Sequence, residues 1–172
     1  ITPEAYRELA EDFRPEAFDP DRMLAAARRA GFEYAVLTAK HLAGYTMWPS
    51  DYGDFGTQEY IDGRDLVGEF VDACRRQGLR AGLYFCMGDL SFHGFPGRAD
   101  ADLSDYDSFR SYLSERRPVD VDELVAFEEY YTHVRGQVGE LVTRYGDLDL
   151  LWLDVPTWLG GANIERGLDD IY

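Results

Sequence analysis

Leu150-Leu151-Trp152-Leu153-Asp154, followed by Val155-Pro156-Thr157-Trp158, runs four apolar residues into a carboxylate and then into a turn signal. An apolar run of this length, bounded by turn residues, predicts a strand buried on both faces. Asp154 falls where that strand leaves the core. A carboxylate there is fixed, partly desolvated and still within reach of a ligand, which suits an acid, a base or a nucleophile better than a surface charge. The competing reading is a turn residue that caps the next helix.

Upstream of this strand the chain repeats one unit. Three times an amphipathic helix is followed by a glycine and then a strand. The first helix is predicted over residues 20–30, stops at Gly31 and leads into a strand over 33–39. The second covers 64–77, with Leu66, Val67, Phe70, Val71 and Cys74 on one face, and stops at Gly78 before a strand over 80–86. The third covers 122–145, where Leu124, Phe127, Tyr131, Val134, Val138, Leu141 and Tyr145 recur in steps of three and four. It stops at Gly146 before a strand over 148–154. Glycine just past a helix is the left-handed cap that ends it. Further helices are predicted over 3–13 and from about Ala162.

Strands alternating with helices imply an α/β fold with a parallel sheet. Helix-to-strand links are two or three residues, whereas residues 40–63 and 87–121 form long links after two strands. Long loops at the C-terminal ends of parallel strands mark the functional face. The architecture is either a TIM-type (β/α)8 barrel or an open doubly wound sheet. No G-x-G-x-x-G follows a strand and no Walker pattern exists, so a nucleotide-binding sheet has no support. A barrel needs eight strands and roughly 200 residues or more. With three strands evident in 172 residues, the chain is expected to be one partial barrel domain, 1–172, cut at both ends. It opens on Ile1 rather than Met, so residues are expected ahead of it.

Composition narrows the partners. Twelve Tyr, ten Phe and three Trp supply a core. A net charge of −16 opposes nucleic acid and anionic membrane surfaces, whose phosphates would be repelled. No stretch approaches the roughly 20 apolar residues of a membrane helix. Cys74 and Cys86 form neither a disulfide framework nor a metal motif, and Cys74 reads as a small core residue.

Three groups of residues converge on the functional face. After the first strand come His41, Tyr45 and Trp48; the second supplies Tyr84, Cys86 and Asp89; the third supplies Trp152 and Asp154. Rings stack on the C–H face of a pyranose, His and Tyr exchange hydrogen bonds with hydroxyls, and a carboxylate attacks or stabilises an anomeric carbon of oxocarbenium character. Each residue also has a plainer reading. His41 alone reads as a buried histidine bonded to backbone, and Tyr84 as a core aromatic. Trp152 belongs to a buried strand, while Trp48 and Trp158 either line a pocket or pin loops. Asp89 reads as a solvated loop carboxylate, His93 and His133 as loop and helix-surface residues, and the acidic stretch 100–107 as a solvated segment.

The chain resembles the α-L-fucosidases, family 29 of the glycoside hydrolases. The resemblance rests on Ala30-Gly31-Phe32-Glu33-Tyr34-Ala35-Val36-Leu37-Thr38-Ala39-Lys40-His41, Gly44-Tyr45, Trp48-Pro49-Ser50 and Arg64-Asp65-Leu66-Val67. It continues through Gly78-Leu79-Arg80-Ala81-Gly82-Leu83-Tyr84, Glu140-Leu141-Val142-Thr143-Arg144-Tyr145-Gly146 and Leu151-Trp152-Leu153-Asp154. It implies a (β/α)8-type catalytic domain acting on terminal α-L-fucose, or a related sugar, with retention. By position Asp154 matches the nucleophile, Trp152 an aromatic at the sugar, and His41 and Tyr84 residues that bind fucose hydroxyls. The family's second histidine and its aspartate are replaced by Leu42 and Ala43. Its Tyr-Tyr-Ser with a later Asp-Trp becomes Tyr84-Phe85-Cys86 with Asp89-Leu90, and Val155-Pro156 stands where a small residue is common.

In a retaining glycosidase a second carboxyl, about 5–5.5 Å from the nucleophile, protonates the leaving oxygen. The resemblance implies that this acid/base lies beyond Tyr172; Glu165 carries no motif for it. The scheme needs no metal or other cofactor, and the expected partner is a fucosylated glycan or glycoside. Three other readings compete. One is a sugar-binding pseudoenzyme, which Leu42 and Ala43 permit. Another is a metal-dependent hydrolase using His41, Asp89 and Asp154, and the last is a structural piece that oligomerises through open sheet edges.

Overall fold

The computed structural model describes residues 3–92 and 121–154, with side chains from residue 128 in the second segment. Its sheet holds β1 (Tyr34–Lys40), β2 (Arg80–Cys86) and β3 (Leu150–Asp154), all parallel, in chain order with β2 at the centre. Helices α1 (Pro3–Glu8) and α2 (Pro20–Arg29) precede β1. A single turn, α3 (Thr57–Tyr60), and α4 (Leu66–Gln77) precede β2, and α5 (Val121–Arg144) precedes β3. The result is an α/β fold with a small parallel sheet. The strand order shows no reversal, so the described sheet contains no switch point of the doubly wound kind.

Local chemistry sets the helix ends. Asp19 accepts from the Arg22 N–H at 2.9 Å, and Pro20 opens α2 where its missing N–H costs nothing. Asp65 does the same for α4 through the Gly68 N–H at 2.8 Å. Helix α4 ends at Gly78 with φ 68° and ψ 33°, the left-handed cap its sequence predicts. The helix expected over 3–13 gives way after Glu8 to a 3-10 turn, Leu9–Asp12. Helix α3, only four residues long, lies inside the long link after β1, where so short an element leaves no periodicity to read.

The helices cover one face of the sheet. Leu24 of α2, Val67, Phe70, Val71 and Cys74 of α4, and Val134, Val138 and Leu141 of α5 are buried against Ala39, Ala81, Leu83 and Phe85. Each large apolar side chain so buried contributes about 1.5–3 kcal/mol. Cys74 is the core residue its position suggests, and burial raises its thiol pKa to about 11. In α5 the stripe enters the core through Tyr130 rather than Tyr131, which is half-buried; Leu124 and Phe127 lie outside the described side chains.

Among the described residues, strand β3 is covered on one face where its sequence predicts cover on both: Leu151 and Leu153 turn toward the core, while Leu150 and Trp152 are 40% and 56% exposed. The described helices lie on one side only, and β3 is an edge of the described sheet. Four apolar residues in a row looked doubly buried, but two of them face the uncovered side with Val36, Gly82 and Tyr84.

The long link after β1 is anchored on α5 by one carboxylate. Glu140 accepts from Trp48 Nε1 at 2.8 Å, Ser50 Oγ at 2.7 Å and the Asp51 N–H at 2.8 Å, and it pairs with Arg144 at 2.8 Å. Trp48 is entirely buried. Replacing Glu140 with Ala strands buried donors, and a loss of about 2–4 kcal/mol is expected. Urea unfolding of wild type and Glu140→Ala measures it; Glu140→Gln, which retains an acceptor, loses less.

Candidate active site

Parallel pairing gathers the site from three strand ends. Tyr84 is the register partner of both Thr38 and Trp152, and Cys86 is the partner of Asp154. Tyr84, Trp152 and Asp154 therefore share the uncovered face at its C-terminal edge. The Tyr84 hydroxyl donates to Asp154 Oδ2 at 2.5 Å. The His41 ring stacks on Tyr84 at 5.7 Å between centroids and 18° between planes. Trp152 meets Tyr84 edge-on at 5.5 Å and 78°. Four residues singled out from sequence form one contiguous cluster.

Exposure differs among them in a useful way. His41 and Trp152 are exposed, while Tyr84 and Asp154 are half-buried. Burial, then donation to Asp154, raises the Tyr84 pKa far above its ordinary value. The phenol therefore stays a neutral donor and orients the carboxylate without competing for its charge. Burial likewise raises the thiol of Cys86, which is 1% exposed beneath this cluster, so it remains a neutral neighbour. An oriented carboxylate, an accessible imidazole and an exposed indole face can together hold a polyol ring with one carbon presented to an oxygen nucleophile.

Other expected positions behave differently. Trp48, a candidate for lining the sugar pocket or pinning a loop, has no exposed surface, and its indole N–H is committed to Glu140, so it pins the loop. Asp89 is not solvated: it is 1% exposed and pairs with Lys40 Nζ at 3.1 Å. His133 is not on the helix surface: it is buried, with Nε2 3.2 Å from Asp89 Oδ2 and its ring stacked on Phe92 at 4.3 Å. Trp158, His93, Glu165, the acidic stretch 100–107 and the helix from about Ala162 lie outside the described residues. Among the described residues no three His, Cys, Asp or Glu side chains gather as metal ligands, so His41, Asp89 and Asp154 do not make a metal centre.

The Lys40–Asp89–His133 cluster was missed from sequence. Its signal was Lys40, the single lysine of the chain, placed in an apolar strand where a buried ammonium requires an acid partner.

A parallel β/α scaffold with a carboxylate, a phenol and an imidazole gathered at its strand C-termini is the class of structure these observations define. Comparison with known proteins makes it specific. Residues 3–161 match the family profile described as Alpha-L-fucosidase, and the chain belongs to that family. It is 35% identical over 145 residues to the putative alpha-L-fucosidase 1 of Oryza sativa subsp. japonica, covering 83% of this chain and 22% of that protein. It is also 28% identical over 167 residues to the alpha-L-fucosidase of Dictyostelium discoideum, covering 95% of this chain and 31% of that one.

Among solved structures, the alpha-L-fucosidase AlfC from Lactobacillus casei in complex with alpha-L-fucose product superposes with a TM-score of 0.73. The identity is 27%, over 99% of this chain and 54% of AlfC. A trapped covalent intermediate of a Bacteroides thetaiotaomicron alpha-L-fucosidase superposes with the same TM-score at 25% identity, over 90% of this chain and 31% of that one. The chain thus spans between about a fifth and about half of the length of these relatives. No helix among the described residues is long and apolar enough to cross a membrane.

The buried acid gives a pH prediction. Burial alone would raise the Asp89 pKa, but the Lys40 ammonium and the donors His133 and Ser91 outweigh it and hold the carboxyl well below its ordinary range. A depressed pKa contributes stability that is complete above roughly pH 4 and drains away as pH falls toward the folded value. Unfolding free energy measured from pH 6 to pH 2 should fall below about pH 4. In Asp89→Asn that acid limb should be flatter.

Proposed function

We propose that this chain is part of a (β/α)8-barrel catalytic domain, 1–172, of a retaining glycosidase that removes terminal α-L-fucose or a related sugar from glycans or glycosides. The observation that carries this reading is the Asp154 carboxylate held by Tyr84 beside the His41 ring, at the C-terminal edge of a parallel sheet in a member of the α-L-fucosidase family. The relatives support the sugar class. AlfC is in complex with alpha-L-fucose product in one structure, and the Bacteroides enzyme is a trapped covalent intermediate in complex with 2-fluoro-fucosyl fluoride in another.

Asp154 attacks the anomeric carbon as the bond to the leaving oxygen breaks, giving a glycosyl ester. A second carboxyl, contributed from outside the described residues, protonates the leaving oxygen. It then takes a proton from the water that hydrolyses the ester, so configuration is retained. Tyr84 fixes which Asp154 oxygen faces the sugar. His41 hydrogen-bonds a hydroxyl, and Trp152 offers its ring to the apolar face of the sugar. Trp158 stands as a further aromatic for the same ring. A sugar-binding protein without turnover is the second reading; Leu42 and Ala43, beside His41, bring no polar side-chain atom to the site's edge.

Substituting Asp154 decides between them. In the intact protein, Asp154→Ala should lower turnover of 4-nitrophenyl α-L-fucoside by about a thousandfold or more, while fucose affinity by calorimetry stays within a few-fold. An unaltered wild-type affinity with no wild-type turnover would favour the binding protein. Treatment with 2-fluoro-fucosyl fluoride should leave one sugar adduct on the peptide containing Asp154, read by mass spectrometry. Tyr84→Phe should cost roughly tenfold to a hundredfold in kcat/KM, since it removes a hydrogen bond to a charged group.

A further inference from the structure

The strand that carries His41 changes register just before it. Thr38 pairs with Tyr84, but Lys40 pairs with Phe85, so two steps along β1 match one along β2. Partners in a parallel ladder point to the same side of the sheet, and a one-residue slip turns a side chain to the opposite face. Lys40 therefore leaves the face of Thr38 and Tyr84 and joins the helix-covered face, its Nζ 4.5 Å from the centre of the Phe85 ring. His41, the next residue, lies stacked on Tyr84. Without the slip Lys40 would occupy the open face and His41 would be directed toward the helices.

The slip places a fully buried ammonium in the core, and such a charge persists only with a partner. Asp89 is that partner, and it is tightly held. Its Oδ1 accepts from Ser91 Oγ at 2.6 Å, Ser91 N at 2.9 Å and Phe92 N at 3.1 Å, while Oδ2 meets Lys40 and His133. The segment containing Asp89 is also joined to the other two strand ends. Leu90 N donates to Leu42 O at 2.9 Å and Met87 N to Asp154 O at 3.0 Å. Gly44, at φ 91°, lies against Asp89 and Ser91 with no room for a β-carbon. Lys40, Asp89 and His133 are 0%, 1% and 7% exposed, so none of them can touch a substrate.

We propose that Asp89 is the positioning residue of this site: by neutralising Lys40 it holds the register slip that aims His41 at the sugar. This deepens the glycosidase reading and rests on it for its kinetic consequence, though not for its geometry.

A double-mutant cycle in the intact protein tests it. Asp89→Asn should lower kcat/KM on 4-nitrophenyl α-L-fucoside by about tenfold to a hundredfold, because a misplacement of about 1 Å is enough for that. In a His41→Ala background the same change should cost less than about twofold, since the residue it positions is gone. Ser91→Ala removes one donor to Asp89 and is the gentler arm. It should cost about twofold to fivefold, again abolished in His41→Ala. Equal losses in both backgrounds overturn the proposal.

A sugar-free readout separates it from the functional reading. In Ser91→Ala the His41 ring resonances should move by NMR while the Trp48 indole N–H, tied to Glu140, stays in place. Moved His41 signals, when the wild-type protein itself turns over no fucoside, would leave the positioning role standing and end the glycosidase reading. Unmoved His41 signals in an active enzyme would do the reverse.

Discussion

The parallel ladder through β2 is the constraint on which the rest depends. Because β1 and β3 both pair with it in the same direction, all three strands end at one edge, and their last side chains meet there. Residues 41, 84 and 154, far apart along the chain, are brought to one edge by this backbone pairing, and the slip at Lys40 turns His41 to the same face as the other two. The side chains then refine what the ladder supplies. A phenol fixes a carboxylate and an imidazole stacks on the phenol. The helices act on the opposite face, burying Leu83 and Phe85 so that β2 cannot shift without opening the core.

Two buried carboxylates hold the loops of this edge. Glu140 ties the link after β1 to α5 through Trp48, Ser50 and Asp51. Asp89 ties the end of β1 to the segment after β2 and to α5 through Lys40 and His133. Buried charges of this kind are weak sources of net stability, because the desolvation cost offsets much of the attraction. What they supply is a single arrangement: each acid has one set of donors it can satisfy, and a displaced loop would leave a charge alone in the core. That is the requirement of a site whose parts come from separate segments.

The sequence made the frame legible because the frame is local. Helix stripes, capping Asp19 and Asp65, and the glycines after each helix are all short-range signals, and they locate three strands to within a residue or two. His41, Tyr84, Trp152 and Asp154 were readable as a group because parallel units bring strand ends together. Trp48 was not, since an aromatic after a strand looks the same whether it lines a pocket or fills a core. What decides is Glu140, 92 residues away. Asp89 and His133 read as solvated for the same reason, as their partners are non-local. The exposed side of β3 escaped notice because Leu150 and Trp152 are as apolar as the residues that face the helices.

Alternation along the strands divides their labour. On β2 and β3, Leu83, Phe85, Leu151 and Leu153 serve cohesion, while Gly82, Tyr84, Leu150 and Trp152 look the other way and carry little of the core. Substitutions at Tyr84, Leu150 and Trp152 can therefore accumulate without unfolding the scaffold. Gly82 is the exception, since a β-carbon there would meet Val36 Cγ2 at 3.0 Å and Leu150 Cβ at 3.2 Å. A lineage built on this frame is free to drift in what it recognises, one alternate position at a time, while the helix-facing half of each strand stays under strict volume constraint.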